Sequence, residues 1–295
     1  MTARAAIIGG TGTLGQALAR ELVRRNTEVH VYSRCELKQK EMAALYTGPK
    51  PRFTIGDVRD RDSVSRFISR GRFDKVYHVA ALKHVDVLES NPEEAVRTNV
   101  LGTINVADAA EASSVPLAVF SSTDKAVDPI NVYGMTKGLG ERLWLNRNAQ
   151  GSDTRFAVFR WGNVIGSRGS AIPYFIDCIR RQKPIRVTDP DMTRFWIPIE
   201  EAVQFMLDNE ADAPLTEARI PPMKAASVSE VIQSLAHAIH APVPRFEIIG
   251  NRGGEKQHEF LQSQHHESPI ASHTADRLTK RDFMLLFAPF LAVTA

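Results

Sequence analysis

The fold is decided by Ala5-Ala6-Ile7-Ile8-Gly9-Gly10-Thr11-Gly12-Thr13-Leu14-Gly15, a short apolar run that meets spaced glycines and then a helix-length stretch. A strand, a glycine turn and a helix explain this order, because glycine permits the tight turn and lets a pyrophosphate approach the helix N-terminus. A purely structural glycine turn would show the same Gly-x-x-Gly-x-x-Gly spacing. The strand–turn–helix context favours a dinucleotide site formed by Gly9, Thr11, Gly12, Thr13, Leu14 and Gly15.

Outward from this turn, short apolar or β-branched runs alternate with amphipathic stretches through the first half of the chain. Such alternation is typical of a parallel sheet with crossover helices, so the sequence predicts an α/β fold with a Rossmann-type, doubly wound parallel sheet. The predicted strands cover residues 5–8, 28–32, 52–55, 75–79, 117–121 and 155–159. The predicted helices cover residues 14–25, 62–69, 92–112 and 132–148.

After Asn163 the pattern loosens into Gly, Ser and Pro punctuation. We expect helices near 171–181, 200–208 and 229–240, and strands at 185–187 and 246–249. These predict a Rossmann domain over 1–165 and a smaller, interleaved C-terminal substrate lobe over 166–295, with parts of 196–225 packing back on the large sheet. The polar segment 262–273 contains three histidines, and we interpret it as a solvated loop rather than a metal site.

Composition and charge exclude several classes of protein. The 295 residues are 43% hydrophobic and carry a net charge of +3, with two cysteines. This composition argues against disorder and against a disulfide framework. Cys35 and Cys178 lack metal spacing, so a reducing, cytoplasmic location is expected. Arg20, Arg24 and Arg25 recur at helical spacing and indicate a solvated face, so no nucleic-acid partner is expected.

Membrane insertion is not expected either. The N-terminal apolar run is too short for a signal peptide, and no stretch approaches the ~20 apolar residues that span a bilayer. The nearest candidate, residues 283–295, is shorter and contains Pro289. We predict a buried C-terminal segment there, with a membrane or partner anchor as the alternative.

The end of the second predicted strand bears on the choice of dinucleotide. An NAD-selective protein places an acid there to bind the ribose 2′-hydroxyl, whereas this chain has Ser33 and Arg34, with Lys38 one helical turn further. These groups would neutralise a 2′-phosphate, so NADP is favoured over NAD, although Glu36 could reach the ribose. Asp57 follows the third strand and would meet the adenine edge or cap a turn.

Two groups of residues suggest catalysis. Tyr133 and Lys137 share one face of a predicted helix, and a nearby ammonium would bring the tyrosine pKa of about 10 toward neutrality, making a base for a hydroxyl proton. The fifth strand ends in Thr123, Asp124 and Lys125, where open α/β sheets bind ligands. Thr123 can hydrogen-bond the oxygen being oxidised. An acid at Asp124 and an amine at Lys125 could together eliminate water, whereas the alternative is a surface ion pair.

Longer strings carry a specific resemblance over residues 4–262. They are SR (33–34), ELKQ (36–39), ALKHV (81–85), TNVLGT (98–103), STDKA (122–126), NVYGMTK (131–137), GNVIGSRGS (162–170), MTRFW (192–196) and GEKQHE (254–259). The chain resembles the extended short-chain dehydrogenase/reductases, and among them the polysaccharide-biosynthesis nucleotide-sugar dehydratases, particularly the soluble inverting UDP-N-acetylglucosamine 4,6-dehydratases. Large membrane-bound relatives carry methionine in place of Tyr133, so the tyrosine favours the soluble branch.

The resemblance implies roles for individual residues. Asp124 and Lys125 would be the elimination pair, and Tyr133 and Lys137 the redox pair, with Thr123 as hydroxyl partner. It also implies cofactor contacts from Val58 and Ala80, and substrate contacts from Lys83, Asn163, Arg194, Arg252 and Glu255. Three departures stand out: Cys35 replaces a usual aspartate, Gly253 replaces a usual proline, and the chain after Glu259 is short for the family.

These residues predict an intramolecular redox dehydration of a UDP-N-acetylhexosamine. C4 is oxidised by NADP⁺, water is lost across C5 and C6, and hydride returns to C6, giving a 4-keto-6-deoxy sugar with or without inversion at C5. The alternatives are a 5,6-dehydratase that returns hydride to C4, a 4-epimerase, and a protein that senses NADP without catalysis. We expect a homo-oligomer, since fold relatives commonly dimerise through the Tyr133–Lys137 helix.

Overall fold

The computed structural model describes residues 2–167, 169–250 and 254–292. A six-stranded parallel sheet forms the centre of its larger part. Its strands are β1 (Arg4–Ile8), β2 (Glu28–Ser33), β3 (Arg52–Ile55), β4 (Lys75–His78), β5 (Leu117–Ser121) and β6 (Arg155–Phe159). They lie in the order β3-β2-β1-β4-β5-β6. This order confirms the predicted Rossmann-type fold, in which ligands bind where the strand order reverses, here between β1 and β4.

Helices cover both faces of this sheet. They are α1 (Thr13–Arg24), α2 (Glu36–Ala44), α3 (Arg61–Gly71), α4 (Val85–Glu89), α5 (Pro92–Ala95), α6 (Gly102–Ala112) and α7 (Val132–Ala149). A π-helical turn at Val96–Leu101 joins α5 to α6, so the helix predicted over 92–112 contains one widened turn. The sequence did not predict α2, because only Gln39 and Met42 of its nine residues are buried and the apolar periodicity is weak.

The remaining elements are β7 (Asn163–Ile165), α8 (Ala171–Arg180), β8 (Ile185–Val187), β9 (Thr193–Pro198), α9 (Ile199–Asn209), β10 (Lys224–Ser227), α10 (Val228–Ala238), β11 (Phe246–Ile248), β12 (Phe260–Gln262), β13 (Ile270–Ala271) and α11 (Lys280–Ala292). Strands β10, β9 and β7 form a small sheet, and β8 pairs with β11. Ala202, Val203 and Met206 of α9 pack in the core cluster that contains β1 and α1 residues. The division of the chain at residue 165 stays a prediction.

Two segments near the C-terminus differ in how well the sequence predicted them. Phe283 and Phe287 of α11 are buried in the smaller hydrophobic core, as expected for a buried C-terminal segment. The loop predicted over 262–273 was wrong in part, because β13 lies within it and pairs with β12. Within the described ranges, no cluster of three potential metal ligands is present, and no helix has the length and apolarity to cross a membrane.

Candidate active site

A cavity of about 1070 Å³ opens at the carboxyl ends of the large sheet's strands. Residues of the glycine turn, of the β5 end and of α7 line one side, and residues of β7, β9 and the segment before β12 line the other. The predicted site residues that line it are Gly12, Thr13, Leu14, Gly15, Arg34, Lys38, Lys83, Thr123, Lys125, Tyr133, Lys137, Asn163, Arg194 and Glu255. The structure therefore brings both predicted catalytic groups and most of the predicted ligand contacts to one cavity.

The glycine turn has the geometry that a dinucleotide cradle requires. Gly9 has a φ of +87°, and a Cβ there would lie 2.6 Å from the Ala80 backbone. The helix α1 begins after Gly12 without a side-chain cap and without an acidic residue in its first turn. Gly12, Thr13 and Leu14 at the positive end of the α1 dipole line the cavity, and the residues fit a nicotinamide dinucleotide.

The end of β2 separates the predicted cofactor contacts into two groups. Arg34 and Lys38 are exposed and line the cavity, whereas Glu36 does not. Ser33 is buried, and its Oγ accepts a hydrogen bond of 2.9 Å from Gln39 Nε2. The structure therefore assigns the Ser33 hydroxyl to anchoring α2 rather than to the cavity.

Five further predicted cofactor contacts lie outside the cavity lining. Asp57 accepts a hydrogen bond of 3.0 Å from the Arg59 backbone and a second of 2.6 Å from the Arg59 guanidinium. Burial acts to raise the pKa of Asp57, but these hydrogen bonds lower it below its usual range. Val58 is buried and lies against the Cα of Gly102, and Ala80 lies against Gly9. Also outside the lining are Thr11 and Gly9 itself. Asp57 thus caps its turn.

The paired side chains of α7 meet different surroundings. Lys137 is 3% exposed, its Nζ donates a 2.6 Å hydrogen bond to the Ser121 carbonyl, and it lies 3.7 Å from the Phe120 ring centroid. Burial lowers the pKa of Lys137 to about 7, with Glu141 opposing. Burial therefore disfavours the charged form of Lys137.

Tyr133 departs from the sequence-based expectation. Burial raises its pKa to about 12, although Lys125 and a hydrogen bond with Thr123 act to lower it. The expected shift toward neutrality was wrong, because desolvation of the phenolate outweighs the nearby cation. The Lys137 ammonium contacts the Ser121 carbonyl and the Phe120 ring instead of the Tyr133 phenol.

Thr123, Asp124 and Lys125 form a connected group after β5. Asp124 Oδ1 accepts hydrogen bonds from Thr123 Oγ1 at 3.0 Å and from Lys125 Nζ at 3.1 Å. Asp124 is fully buried and lies outside the cavity lining, whereas Thr123 and Lys125 line the cavity. Burial raises the pKa of Asp124, Glu259 adds to that shift, and Lys125 opposes it. The elimination pair thus consists of one residue that faces the cavity and one that lies behind it.

The predicted substrate contacts come from four segments, and Asn163 of β7 lines the cavity. Lys83 Nζ donates to Ser167 Oγ at 3.4 Å. Arg194 is nearly buried, and its Nη1 donates to the Thr193 carbonyl at 2.8 Å. Glu255 accepts a 2.6 Å hydrogen bond from Thr188 Oγ1. Arg252 lies outside the described residues.

Glu259 was not among the predicted site residues, although it lies beside the elimination pair. It is 2% exposed, and its Oε1 is 3.5 Å from Lys125 Nζ. Its position within the GEKQHE string was the available sequence signal. Nothing local identifies its partner, because the chain must fold to bring residue 259 to residue 125.

Comparisons with known proteins agree with this geometry. A family described as "polysaccharide biosynthesis protein" matches residues 5–279. A UDP-N-acetylglucosamine 4,6-dehydratase (inverting) of Campylobacter jejuni is 42% identical over 262 residues, covering 87% of this chain and 76% of that protein. A UDP-glucose 4-epimerase of Rickettsia akari is 38% identical over 267 residues, covering 87% and 76%. The X-ray structure of Pen from Bacillus thuringiensis is 32% identical with a TM-score of 0.88, covering 98% of this chain and 97% of that one.

Proposed function

This chain belongs to the polysaccharide biosynthesis protein family of extended short-chain dehydrogenase/reductases, and on that premise we propose that it dehydrates a UDP-N-acetylhexosamine, namely UDP-N-acetylglucosamine. The observation that carries the proposal is the Asp124–Lys125 ion pair, whose lysine lines the same cavity as Tyr133 while the aspartate lies directly behind it. A simple dehydrogenase or epimerase needs the tyrosine and lysine of α7 but has little use for an adjoining acid and amine. The product is a 4-keto-6-deoxy sugar, with or without inversion at C5.

NADP is the proposed cofactor, held by Gly12, Thr13, Leu14 and Gly15 and, at its 2′-phosphate, by Arg34 and Lys38. When bound, its nicotinamide would accept hydride from C4 and return it to C6, and a proton returned to C5 would complete the product. Two observations support NADP over NAD. The cations Arg34 and Lys38 line the cavity at the end of β2, and the Glu36 carboxylate lies outside the cavity lining. Arginine suits a phosphate because its planar fork makes paired, charged hydrogen bonds.

Oxidation of C4 needs a base for the hydroxyl proton, and Tyr133 is placed to be that base, with Thr123 hydrogen-bonding the same oxygen. Burial raises the pKa of Tyr133, so neighbouring groups that lower this pKa favour the phenolate that takes the hydroxyl proton. Lys125 and Thr123 act in that direction. Lys137 orients the end of α7 through its bond to Ser121.

Elimination follows because the C4 ketone makes the C5 proton acidic. Lys125 Nζ donates a 3.1 Å hydrogen bond to Asp124, and transfer of that proton to Asp124 gives the amine and the acid that the elimination needs. Lys125 then takes the C5 proton, and the C5–H electron pair becomes the C5–C6 double bond. The C6–O electron pair leaves with the oxygen as water, which takes its proton from Asp124. Because Asp124 lies behind Thr123 and Lys125, it passes its proton to the Thr123 hydroxyl as that hydroxyl gives its own proton to the C6 oxygen.

The direct assay incubates the protein with UDP-N-acetylglucosamine and NADP⁺ and follows the sugar by NMR. Loss of the C6 oxygen with formation of a 4-ketone and a C6 methyl group is the expected result. Unchanged substrate, or inversion at C4 with the C6 oxygen retained, contradicts the dehydratase. An exocyclic alkene with the C4 hydroxyl restored identifies a 5,6-dehydratase, whose chemistry differs only in where the hydride returns.

A 4-epimerase is the second candidate, because several relatives about as similar as the Rickettsia akari protein carry that name. Replacing Asp124 with alanine distinguishes the two enzymes. A dehydratase loses elimination and turns over at least roughly 100-fold more slowly, since general acid–base catalysis contributes about 10²–10⁴-fold. An epimerase keeps nearly all of its activity. Bound NADP without turnover of any nucleotide sugar identifies an NADP-sensing protein.

Lys83, Asn163, Arg194, Arg252 and Glu255 remain the proposed substrate contacts. Homo-oligomer formation is also proposed, and the exposed Met135 and Leu139 on α7 support it. The cytoplasmic location stays a prediction.

A further inference from the structure

A second buried carboxylate contacts Lys125, although no step of the proposed reaction uses it. Lys125 Nζ lies 3.1 Å from Asp124 Oδ1 and 3.5 Å from Glu259 Oε1. Both carboxylates are nearly inaccessible to solvent, whereas the lysine side chain is 22% exposed and lines the cavity. The amine is therefore flanked by two acids on the protein side and open to a ligand on the other.

Glu259 is fixed in this position by contacts on both its side chain and its backbone. Its Oε2 lies 3.4 Å from Lys256 Nζ, which also donates to the Val127 carbonyl. Its backbone N–H donates a 2.9 Å hydrogen bond to Ser272 Oγ. Ser272 in turn donates to the Thr193 carbonyl on β9. The carboxylate is thus clamped between the segment after β5 and the small sheet.

We propose that Glu259 is a positioning residue of the elimination step, which with Asp124 aims Lys125 at the sugar and stabilises the ammonium formed when Lys125 accepts the C5 proton. The inference rests on the proposed dehydratase function. As the C5–H bond breaks and the new N–H bond forms on Nζ, positive charge develops beside the Glu259 carboxylate, while Asp124 becomes a carboxylate by giving up its proton. Removing the Glu259 charge makes Lys125 a weaker base at the moment of proton transfer.

The electrostatics agree with this role. Burial acts to lower the pKa of Lys125, but Asp124 and Glu259 together raise it above its usual range. Burial also acts to raise the pKa of Glu259, yet Lys125, Arg194 and Lys256 lower it, so Glu259 stays ionised. Charge pairs in a partly water-excluded site interact more strongly than in bulk water. Glu259 is therefore a permanent negative charge beside the base.

A purely structural role is the competing explanation, since Glu259 also ties its segment to Lys256. The two roles differ in which chemical step they affect. Loss of a purely structural residue changes stability and substrate binding and slows all steps together. Loss of a residue that strengthens the base slows removal of the C5 proton specifically.

The test compares Glu259→Gln, which keeps the shape and removes the charge, with Glu267→Gln in the exposed loop between β12 and β13. Each holoenzyme turns over UDP-N-acetylglucosamine that carries either hydrogen or deuterium at C5. For Glu259→Gln we expect kcat to fall roughly 10- to 100-fold, part of the contribution of acid–base catalysis, with KM changed little. We also expect a larger kinetic isotope effect at C5, and for Glu267→Gln wild-type values throughout.

Other results overturn the proposal. Wild-type kcat in Glu259→Gln, or a lower kcat with an unchanged C5 isotope effect, leaves Glu259 only a structural residue. Thermal unfolding of the holoenzyme shows whether the variant is folded. If it is not, Glu259→Asp decides, because the shorter side chain withdraws the charge from Lys125: a raised C5 isotope effect supports the role, and an unchanged one rejects it.

Failure of the proposed function gives a different result. If wild-type protein forms no dehydrated sugar, the C5 isotope effect has no reaction to report on, and the premise fails before Glu259 is tested. If wild-type protein forms the product and Glu259→Gln behaves like Glu267→Gln, only the inference about Glu259 fails.

Discussion

The two walls of the cavity are built in different ways. On the large-sheet wall, Thr123, Lys125, Tyr133 and Lys137 follow one strand or lie one helical turn apart, so local chain geometry places them. On the opposite wall, Arg194 and Glu255 come from different segments of the chain, and Glu259, which lies behind Lys125, links the segment of Glu255 to β9 through Ser272. A substitution in the first wall can therefore remove a functional group without changing the shape of the wall, whereas a substitution in the second wall changes both its shape and its function.

Lys125→Met removes the proposed base for the C5 proton from the large-sheet wall. We expect turnover to fall roughly 10²–10⁴-fold, because the base for the C5 proton is gone, while C4 oxidation continues. The melting temperature falls as well, because the buried Asp124 and Glu259 carboxylates lose the cation that they share. Product formation followed by NMR, with thermal unfolding in parallel, measures both effects. Lys183→Met, at an exposed position, is the matched control, and equal turnover in both variants contradicts the assignment.

Arg34→Leu tests the same wall at its cofactor end. Charged hydrogen bonds contribute about 1.5–3 kcal/mol, so NADP⁺ affinity should fall roughly 10- to 100-fold, while NAD⁺ affinity stays near its wild-type value. Isothermal titration of the variant with each cofactor measures the ratio. Arg20→Leu, on the neighbouring helix α1, is the control. Equal losses for both cofactors show that Arg34 does not contact a 2′-phosphate.

Ser272→Ala tests the coupling on the opposite wall. Ser272 is fully buried and links Thr193 to the backbone of Glu259. Leaving those groups unpaired should lower the free energy of unfolding by about 1–3 kcal/mol and reduce kcat as well. Chemical denaturation and steady-state assays provide the two values. Ser268→Ala, in the exposed loop, should change neither, and a stability loss without a kcat loss breaks the proposed coupling.

His78→Phe tests how a buried histidine beneath the large-sheet wall makes the stability of the fold depend on pH. His78 is fully buried between Thr103, Phe120 and Trp144, and burial lowers its pKa to about 3. The unfolded chain binds a proton near pH 6.5 and the folded chain does not, so acidification from about pH 6.5 toward pH 3 destabilises the fold by up to about 1.4 kcal/mol per pH unit.

The phenylalanine variant removes that proton linkage. Its free energy of unfolding should therefore fall less steeply than that of the wild type between pH 6.5 and about pH 5, as measured by urea denaturation at each pH. At pH 7, where His78 is neutral in both states, the linkage contributes nothing, and the two proteins differ only by the lost hydrogen bond to Thr103. Parallel pH dependences contradict the buried neutral histidine.

How well the sequence predicted each element depended on the range of the interactions that form it. The six strands of the large sheet were all predicted, because each is a compact apolar run bounded by turn residues. Strands β9, β10 and β12 were not, because they pair across the chain and their local pattern is short. Helix α4 (Val85–Glu89) is too short for periodicity to show.

The sequence by itself determined the Rossmann fold, the glycine turn and the neighbouring Thr-Asp-Lys and Tyr-x-x-x-Lys groups, because backbone geometry over a few residues places these side chains. Only the tertiary structure decided that Asp124 lies behind Lys125, that the pKa of Tyr133 rises, and that Glu259 joins the site. Desolvation and ion pairing depend on which distant segments pack against a residue. Packing of residues 254–262 against the segment after β5 and against β9 sets the position of Glu259.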